Sequence, residues 1–226
     1  MRFTQCPPPD LTPWERGGID RLWTETRALN PAAFDGPLVV ALGTDRVGPG
    51  PSAVRWATMT YRYRALRRLR PAGQVPGSLF VTALVPTGSG LVIGRGSPVT
   101  AAPGRWTLPG GTAEPPPAGE PLDTEVLRRH AARELAEETG VRLDAERLRL
   151  RGVTRGRRFG SLGFHLLAPV TPSARVRHLH AGSCPVGGGT VPELDGIALV
   201  PAAGRAIAPG PSADHLAQTV DRYFTR

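Results

Sequence analysis

Glu134, Glu137 and Glu138 place three carboxylates within five residues of a stretch that reads as helix. Positions i, i+3 and i+4 share one helical face, so the three acids can point the same way. Like charges at that spacing repel one another and weaken an isolated helix. Something must offset that repulsion, and a hard divalent cation is the obvious candidate. Mg²⁺ typically takes one or two protein carboxylates and completes its shell with waters and substrate phosphate oxygens. Taken alone, the cluster reads equally as a solvated acidic face.

The cluster needs a rigid carrier and a floor beneath it. A helix over Thr124–Thr139 carries it, with Leu127, Ala131 and Leu135 as the buried stripe and Gly140 as the stop. Upstream, apolar runs at 79–85 and 91–94 read as strands joined by a turn at 86–90. Downstream, 147–151 alternates Arg with Leu, so one strand face is apolar and the other basic. A strand over 160–170 pairs with it, a Gly/Pro-rich loop spans 171–192, and 196–200 is a further strand. An amphipathic helix at 212–224 closes the chain.

The N-terminal third has its own pattern. Residues 1–13 are Pro-rich and read as extended or disordered, followed by a helix over 18–29 with Ile19, Leu22, Trp23, Thr26 and Leu29 on one face. Asn30-Pro31 stops that helix, because a residue before proline is pushed out of the α region. Strands at 38–42 and 54–61 and an Arg-rich helix at 63–69 precede a Pro/Gly boundary at 71–77. We read residues 1–75 as an accessory α/β extension packed on a core of 76–226, since its apolar content is thin for an independent core.

Net charge is +9, which raises the question of nucleic acid. The chain has no lysine, and its arginines are spread along its length rather than gathered in one tract with interleaved aromatics. Nucleic acid is therefore discounted as a partner, while Arg still favours phosphate through bidentate contacts. RNA binding rests on the charge alone and would show as binding that falls steeply with salt. Cys6 and Cys184 permit one disulfide but no framework, which suits a reducing compartment. No apolar run approaches a membrane span and the N-terminus lacks an apolar signal core, so the expected location is the cytoplasm.

The spacing Gly119-x5-Glu125-x7-Arg133-Glu134-Leu135-x-Glu137-Glu138-x-Gly140-Val141 resembles the Nudix box at every fixed position. The preceding run Gly104-Arg105-Trp106-Thr107-Leu108-Pro109-Gly110-Gly111 resembles the approach to that box, with an additional Pro-rich excursion from 114 to 124. The resemblance implies an α/β/α sandwich with a mixed sheet and hydrolysis of a nucleoside diphosphate linked to another group, with Mg²⁺ or Mn²⁺ required. It implies Glu134, Glu137 and Glu138 as metal ligands and Arg133 as a residue that orients a glutamate, with Glu125 its partner. Gly110 and Gly111 would let the backbone approach closely. The general base is left open between a box glutamate and Glu193, which sits where a late-loop glutamate lies in some members. Arg95 and Arg105 are candidate phosphate contacts, with Arg149, Arg151, Arg155 and Arg157 behind them. His130 reads as a charge-compensating or semi-buried histidine, and His178 and His180 as exposed loop residues.

The N-terminal features Leu29-Asn30-Pro31, Phe34-Asp35-Gly36 and Thr60-Tyr61-Arg62, with the excursion after the glycines, are similar to a Nudix branch that splits UDP-hexoses into UMP and a sugar 1-phosphate. That likeness implies nucleotide binding by Tyr61, Arg62 or Arg64, Tyr61 by stacking on the base; the alternative is that Tyr61 and Trp56 pack the extension. Other substrates left open are ADP-ribose, a dinucleoside polyphosphate, and a prenyl or biosynthetic diphosphate. A Nudix-fold sensor that binds nucleotide without cutting it is the alternative outside enzymes, and a homodimer stays open.

Overall fold

The computed structural model describes residues 1–31, 33–46, 51–156, 160–182, 191–202 and 208–225. They form two compact units: Met1–Phe80 with Thr112–Asp123 and Arg155–Leu162, and Val81–Gly111 with Thr124–Thr154 and Gly163–Arg226. The post-glycine excursion belongs to the first unit.

The first unit contains β1 (Arg2–Gln5), α1 (Pro13–Leu29), β2 (Pro37–Arg46), β3 (Pro51–Thr60) and the start of β4 (Gly77–Leu84). β1 runs parallel to β3, β3 pairs antiparallel with β2, and β2 pairs antiparallel with the first residues of β4. Part of the extended N-terminus is thus a strand. Helix α1 begins at Pro13 rather than 18, because Thr12 caps it. Thr12 Oγ1 accepts from the Glu15 amide at 3.2 Å, and Glu15 Oε2 accepts from the Thr12 amide at 2.8 Å. This reciprocal pairing satisfies two donors that a helix start otherwise leaves open. The expected apolar face is shorter than its periodicity suggests: Ile19 and Leu22 are buried, while Leu29 is 89% exposed. Residues Tyr61–Arg68 form a 3-10 helix that buries Tyr63 and Leu66, the three-residue spacing that eclipses on such a turn. Ile19, Leu38, Val40, Ala57, Tyr63, Leu66 and Val75 make one buried apolar cluster.

The second unit continues β4 and adds β5 (Pro86–Thr87), β6 (Gly90–Gly96), β7 (Trp106–Thr107), α2 (Thr124–Thr139), β8 (Arg149–Arg155), β9 (Leu162–Leu167), α3 (Ser173–Ala181), β10 (Leu194–Val200) and α4 (Leu216–Phe224). Its strands follow the orders β4-β9-β8 and β10-β6-β5, with β7 also on β6. The parallel β1–β3 pair beside antiparallel ladders makes this a mixed α/β fold, as expected. Leu84, Leu91, Ile93, Leu108, Val200, Leu216 and Val220 form a core cluster under α4.

One element departs from expectation. Residues 171–192 do not read through as loop, because Ser173–Ala181 is helical. Pro172 stands at its start, Gly182 at its end and Val176 is buried, a bracket legible in the sequence. His178 is exposed on this helix, but His180 Nε2 donates to the Leu194 carbonyl at 3.1 Å, so it is not a free loop residue. A second histidine, His165 on β9, is buried between Thr82 Oγ1 and Thr154 Oγ1, each at 2.7 Å from a ring nitrogen. Arg157 and Cys184 lie outside the described residues.

Candidate active site

Leu127, Ala131 and Leu135 bury one stripe of helix α2, all at 1% exposure or less, and Glu134 and Glu138, seven residues after Leu127 and Ala131, continue that same face. Gly140 then leaves the helix at φ +73°, where L side chains are disfavoured. The floor is the double glycine. Val81 N–H donates to Gly111 O at 3.0 Å and Ala83 N–H to Pro109 O at 2.8 Å, so 109–111 lies along β4. Gly110 has φ +146°, and a Cβ there would stand 2.1 Å from Val81 O. Only glycine fits such an approach.

That corner meets two of the three glutamates. Gly110 N–H donates to Glu138 Oε2 at 2.7 Å. A Cβ on Gly111 would fall 2.6 Å from Glu134 Oε2, so the bare backbone makes room for the Glu134 carboxylate. Glu134 Oε1 accepts from His130 Nε2 at 2.7 Å and lies 3.7 Å from Arg133 Nη2. Glu137 is partly exposed on the same stretch of helix.

Glu193 joins them from the start of β10. Its carbonyl accepts from Ser97 N–H at 2.8 Å, which fixes the residue beside the end of β6. Burial holds the Glu138 carboxyl well above the usual carboxylate range, and the charges of Glu134, Glu193 and Glu137 push it further, against the Gly110 hydrogen bond. Partial burial of the Glu193 carboxyl also raises it, with Glu134 and Glu137 adding to the effect. Four acids separated by up to 59 residues of chain, 134 to 193, therefore share one electrostatic neighbourhood. Close carboxylates that disfavour one another's ionisation form a site whose charge is incomplete.

These oxygens suit a hard cation chemically. Among the described residues, however, no three His, Cys, Asp or Glu side chains stand together as a ready set of ligands. Glu134 and Glu138 each have one oxygen turned to a protein donor.

The remaining candidates are distributed as follows. Glu125 pairs with Arg128 at 3.2 Å, one turn away, in place of the expected Arg133. Eight residues of helix separate Glu125 from Arg133, a rise of roughly 12 Å. Arg95 Nε bonds Asp195 Oδ1 at 2.7 Å, and Arg105 Nη1 bonds the Ser212 carbonyl at 3.2 Å. Tyr61 and Arg62 belong to the first unit. The Arg62 guanidinium pairs with Asp20 and Asp35, each at 3.1 Å. Arg64 sits 4.7 Å from the Tyr61 ring centroid, donates to its hydroxyl at 3.0 Å and to Thr112 Oγ1 at 3.2 Å, and Trp23 meets the same ring edge-on. The His130–Glu134 bond was legible in the i, i+4 spacing, whereas the single-donor ties on Glu134 and Glu138 were not.

The family model of the NUDIX domain matches residues 79–196, just over half of the chain. No curated protein matches this sequence closely enough to count as a relative. Among solved structures, the NUDIX domain of Shewanella oneidensis NrtR, complexed with ADP ribose, is 19% identical with a TM-score of 0.47, over 74% of this chain and 99% of that one. A MutT protein from Methanosarcina mazei is 18% identical with a TM-score of 0.44, over 66% and 96%. A bifunctional NMN adenylyltransferase/ADP ribose pyrophosphatase from Francisella tularensis is 18% identical with a TM-score of 0.47, over 73% and 44%.

Proposed function

The chain belongs to the Nudix family and is a Nudix hydrolase, and from that premise we propose that it cleaves UDP-sugars to UMP and sugar 1-phosphate with the help of Mg²⁺ or Mn²⁺. The convergence of Glu134, Glu137, Glu138 and Glu193 carries the catalytic part of this reading. Glu134, Glu137 and Glu138 would hold the divalent cation, which when bound supplies charge neutralisation of the diphosphate and a template for the attacking water.

The chain's own groups have separable tasks. Gly110 N–H orients Glu138, and the bare Cα of Gly111 admits Glu134. Arg133, half-exposed at 46%, leans its charge on Glu134 rather than on substrate. Glu193 accepts the proton of the attacking water: its raised carboxyl is a stronger base than an ordinary one, and proton transfer works best when the base titrates near the working pH. Arg95 and Arg105 remain the phosphate contacts of this reading, each able to trade its present partner for an anion because both are exposed.

Support for a UDP-sugar comes from the first unit. The two features that resemble the UDP-hexose branch, residues 29–62 and the post-glycine excursion, fold into that one unit. Val39 N–H donates to Ala113 O at 2.8 Å, and Arg64 ties Tyr61 to Thr112. Tyr61 and Arg64 are the nucleotide-recognition pair in this reading. The test is product analysis by chromatography, with and without Mg²⁺, across UDP-sugars, other nucleotide sugars, ADP-ribose and dinucleoside polyphosphates. UMP released from UDP-hexoses and lost in Glu193→Gln and Glu138→Gln supports the whole reading. Preferential cleavage of ADP-ribose would keep the carboxylate chemistry and reject the substrate.

A further inference from the structure

His130 sits one helical turn before Glu134 and is 7% exposed, and the Glu134 side chain is 14% exposed. His130 Nε2 lies 2.7 Å from Glu134 Oε1, and with that carboxylate oxygen as acceptor the imidazole Nε2 carries the proton and donates. That assignment settles a competing contact. Arg133 Nη2 lies 3.4 Å from the same nitrogen, but a protonated Nε2 cannot accept, so Arg133 acts on Glu134 through charge alone. Glu134 is left with Oε2, while the whole carboxylate lies against the bare Cα of Gly111. Glu138 is treated in parallel, its Oε2 tied by Gly110 N–H and its Oε1 left over.

We propose that His130 is a positioning residue of the carboxylate site: its Nε2–H fixes Glu134 so that this carboxylate offers one oxygen, Oε2, matching the single oxygen that Gly110 leaves on Glu138. The inference rests on the site read above as holding a divalent cation. An exposed i, i+4 pair would contribute little, but a buried donor taken away leaves the carboxylate without its partner and free to turn. Partners of this kind behind a ligand typically control metal affinity or activity 10- to 100-fold.

The experiment compares full-length wild type, His130→Ala, His130→Gln and Glu138→Gln, reading Mn²⁺ affinity by electron paramagnetic resonance titration and kcat and KM on the best diphosphate found. His130→Ala weakens Mn²⁺ binding and lowers kcat, each by roughly tenfold or more, with KM unchanged. His130→Gln, whose amide N–H reaches the place of Nε2–H, recovers most of both. If the alanine variant does not fold, His130→Asn takes its place, because its amide is too short to reach Oε1. Mn²⁺ affinity and kcat within twofold of wild type in the variant lacking the donor, with Glu138→Gln inactive, would overturn the role of His130 and leave the site intact. A fully active Glu138→Gln would overturn the reading of the site and the positioning role with it.

Discussion

The ion pairs of the first unit and the glutamate corner of the second treat charge in opposite ways. In the first, Arg62 is matched by Asp20 and Asp35, Arg68 by Glu25 at 3.5 Å and Arg70 by Glu15. In the second, four glutamates crowd one corner, with His130 and Arg133 on the Glu134 side. One residue type shows the contrast. The hydrogen bond from Arg70, backed by the Thr12 amide, lowers the Glu15 carboxyl to about 2, whereas burial and neighbouring acids raise Glu138 well above 4.5. Matched charge holds a fold together. Crowded like charge costs stability and persists where a ligand supplies what is missing.

The contrast breaks first at Glu138. Glu138→Gln keeps an acceptor for Gly110 N–H but removes the buried charge. We expect turnover to fall on the order of 10³-fold, while the metal-free protein melts higher than wild type. A lower melting temperature would mean that Glu138 is matched after all, like Glu15. Next in size is Gly110→Ala. Its Cβ would meet Val81 O at 2.1 Å in a backbone conformation that alanine resists, so we expect a loss of about 3 kcal/mol. Gly111→Ala meets the carboxylate end of Glu134 first, at 2.6 Å, and should lower activity more than stability. Urea melts of both variants beside kcat separate the two effects.

Legibility followed how local the signal was. Helix α2 runs over the residues that periodicity and Gly140 predict, because an apolar stripe and a glycine stop act locally. The strands at 79–85 and 91–94 were legible for the same reason. Helix α3 was hidden by the glycine- and proline-rich residues that surround it, although Pro172 and Gly182 bracket it. The early start of α1 lay in Thr12-Pro13-Trp14-Glu15, a capping signal that an apolar-face search passes over. The three acids of α2 announce themselves by spacing. Glu193 was reachable from its place before β10, but its closeness to Glu134, Glu137 and Glu138 depends on how β10 lies along β6. What the sequence could not say is which arginines have carboxylate partners, because those partners lie far along the chain: Asp20 for Arg62, Asp195 for Arg95.

A smaller effect is the pH dependence of stability. Glu15 has a lowered folded value, so its contribution is present above 4.5 and disappears as pH falls toward about 2. His165 adds to the same acid limb: burial, then the charges of His215 and Arg222, bring it from 6.5 to about 3, so the unfolded chain takes up a proton first as pH drops through that window. Glu138 runs the other way. Its raised value means the folded protein holds a proton that the unfolded chain releases above 4.5, and metal-free stability declines as pH rises from there. Thermal melts of the metal-free protein should therefore show a maximum on the acid side of neutrality. Arg70→Met should flatten the limb below 4.5 and Glu138→Gln the limb above it; an unchanged profile in either variant removes that residue from the comparison.

The smallest effect expected is at Arg62, and it separates two roles for an arginine that the sequence alone offers to substrate. Its side chain is 46% exposed, and Asp20 and Asp35 are 64% and 25% exposed, so neither ion pair is worth more than about 1 kcal/mol. The Asp35 carboxylate also accepts the Arg62 amide at 2.7 Å, a bond that survives removal of the side chain. Arg62→Ala should therefore lower stability by less than about 1 kcal/mol and leave KM for the diphosphate within twofold. Arg64, which has hydroxyl partners and an aromatic ring in the described structure, should raise KM when changed to Ala. A KM that rises for Arg62→Ala and not for Arg64→Ala would exchange their roles, and would place one of the first unit's matched charges in the service of substrate.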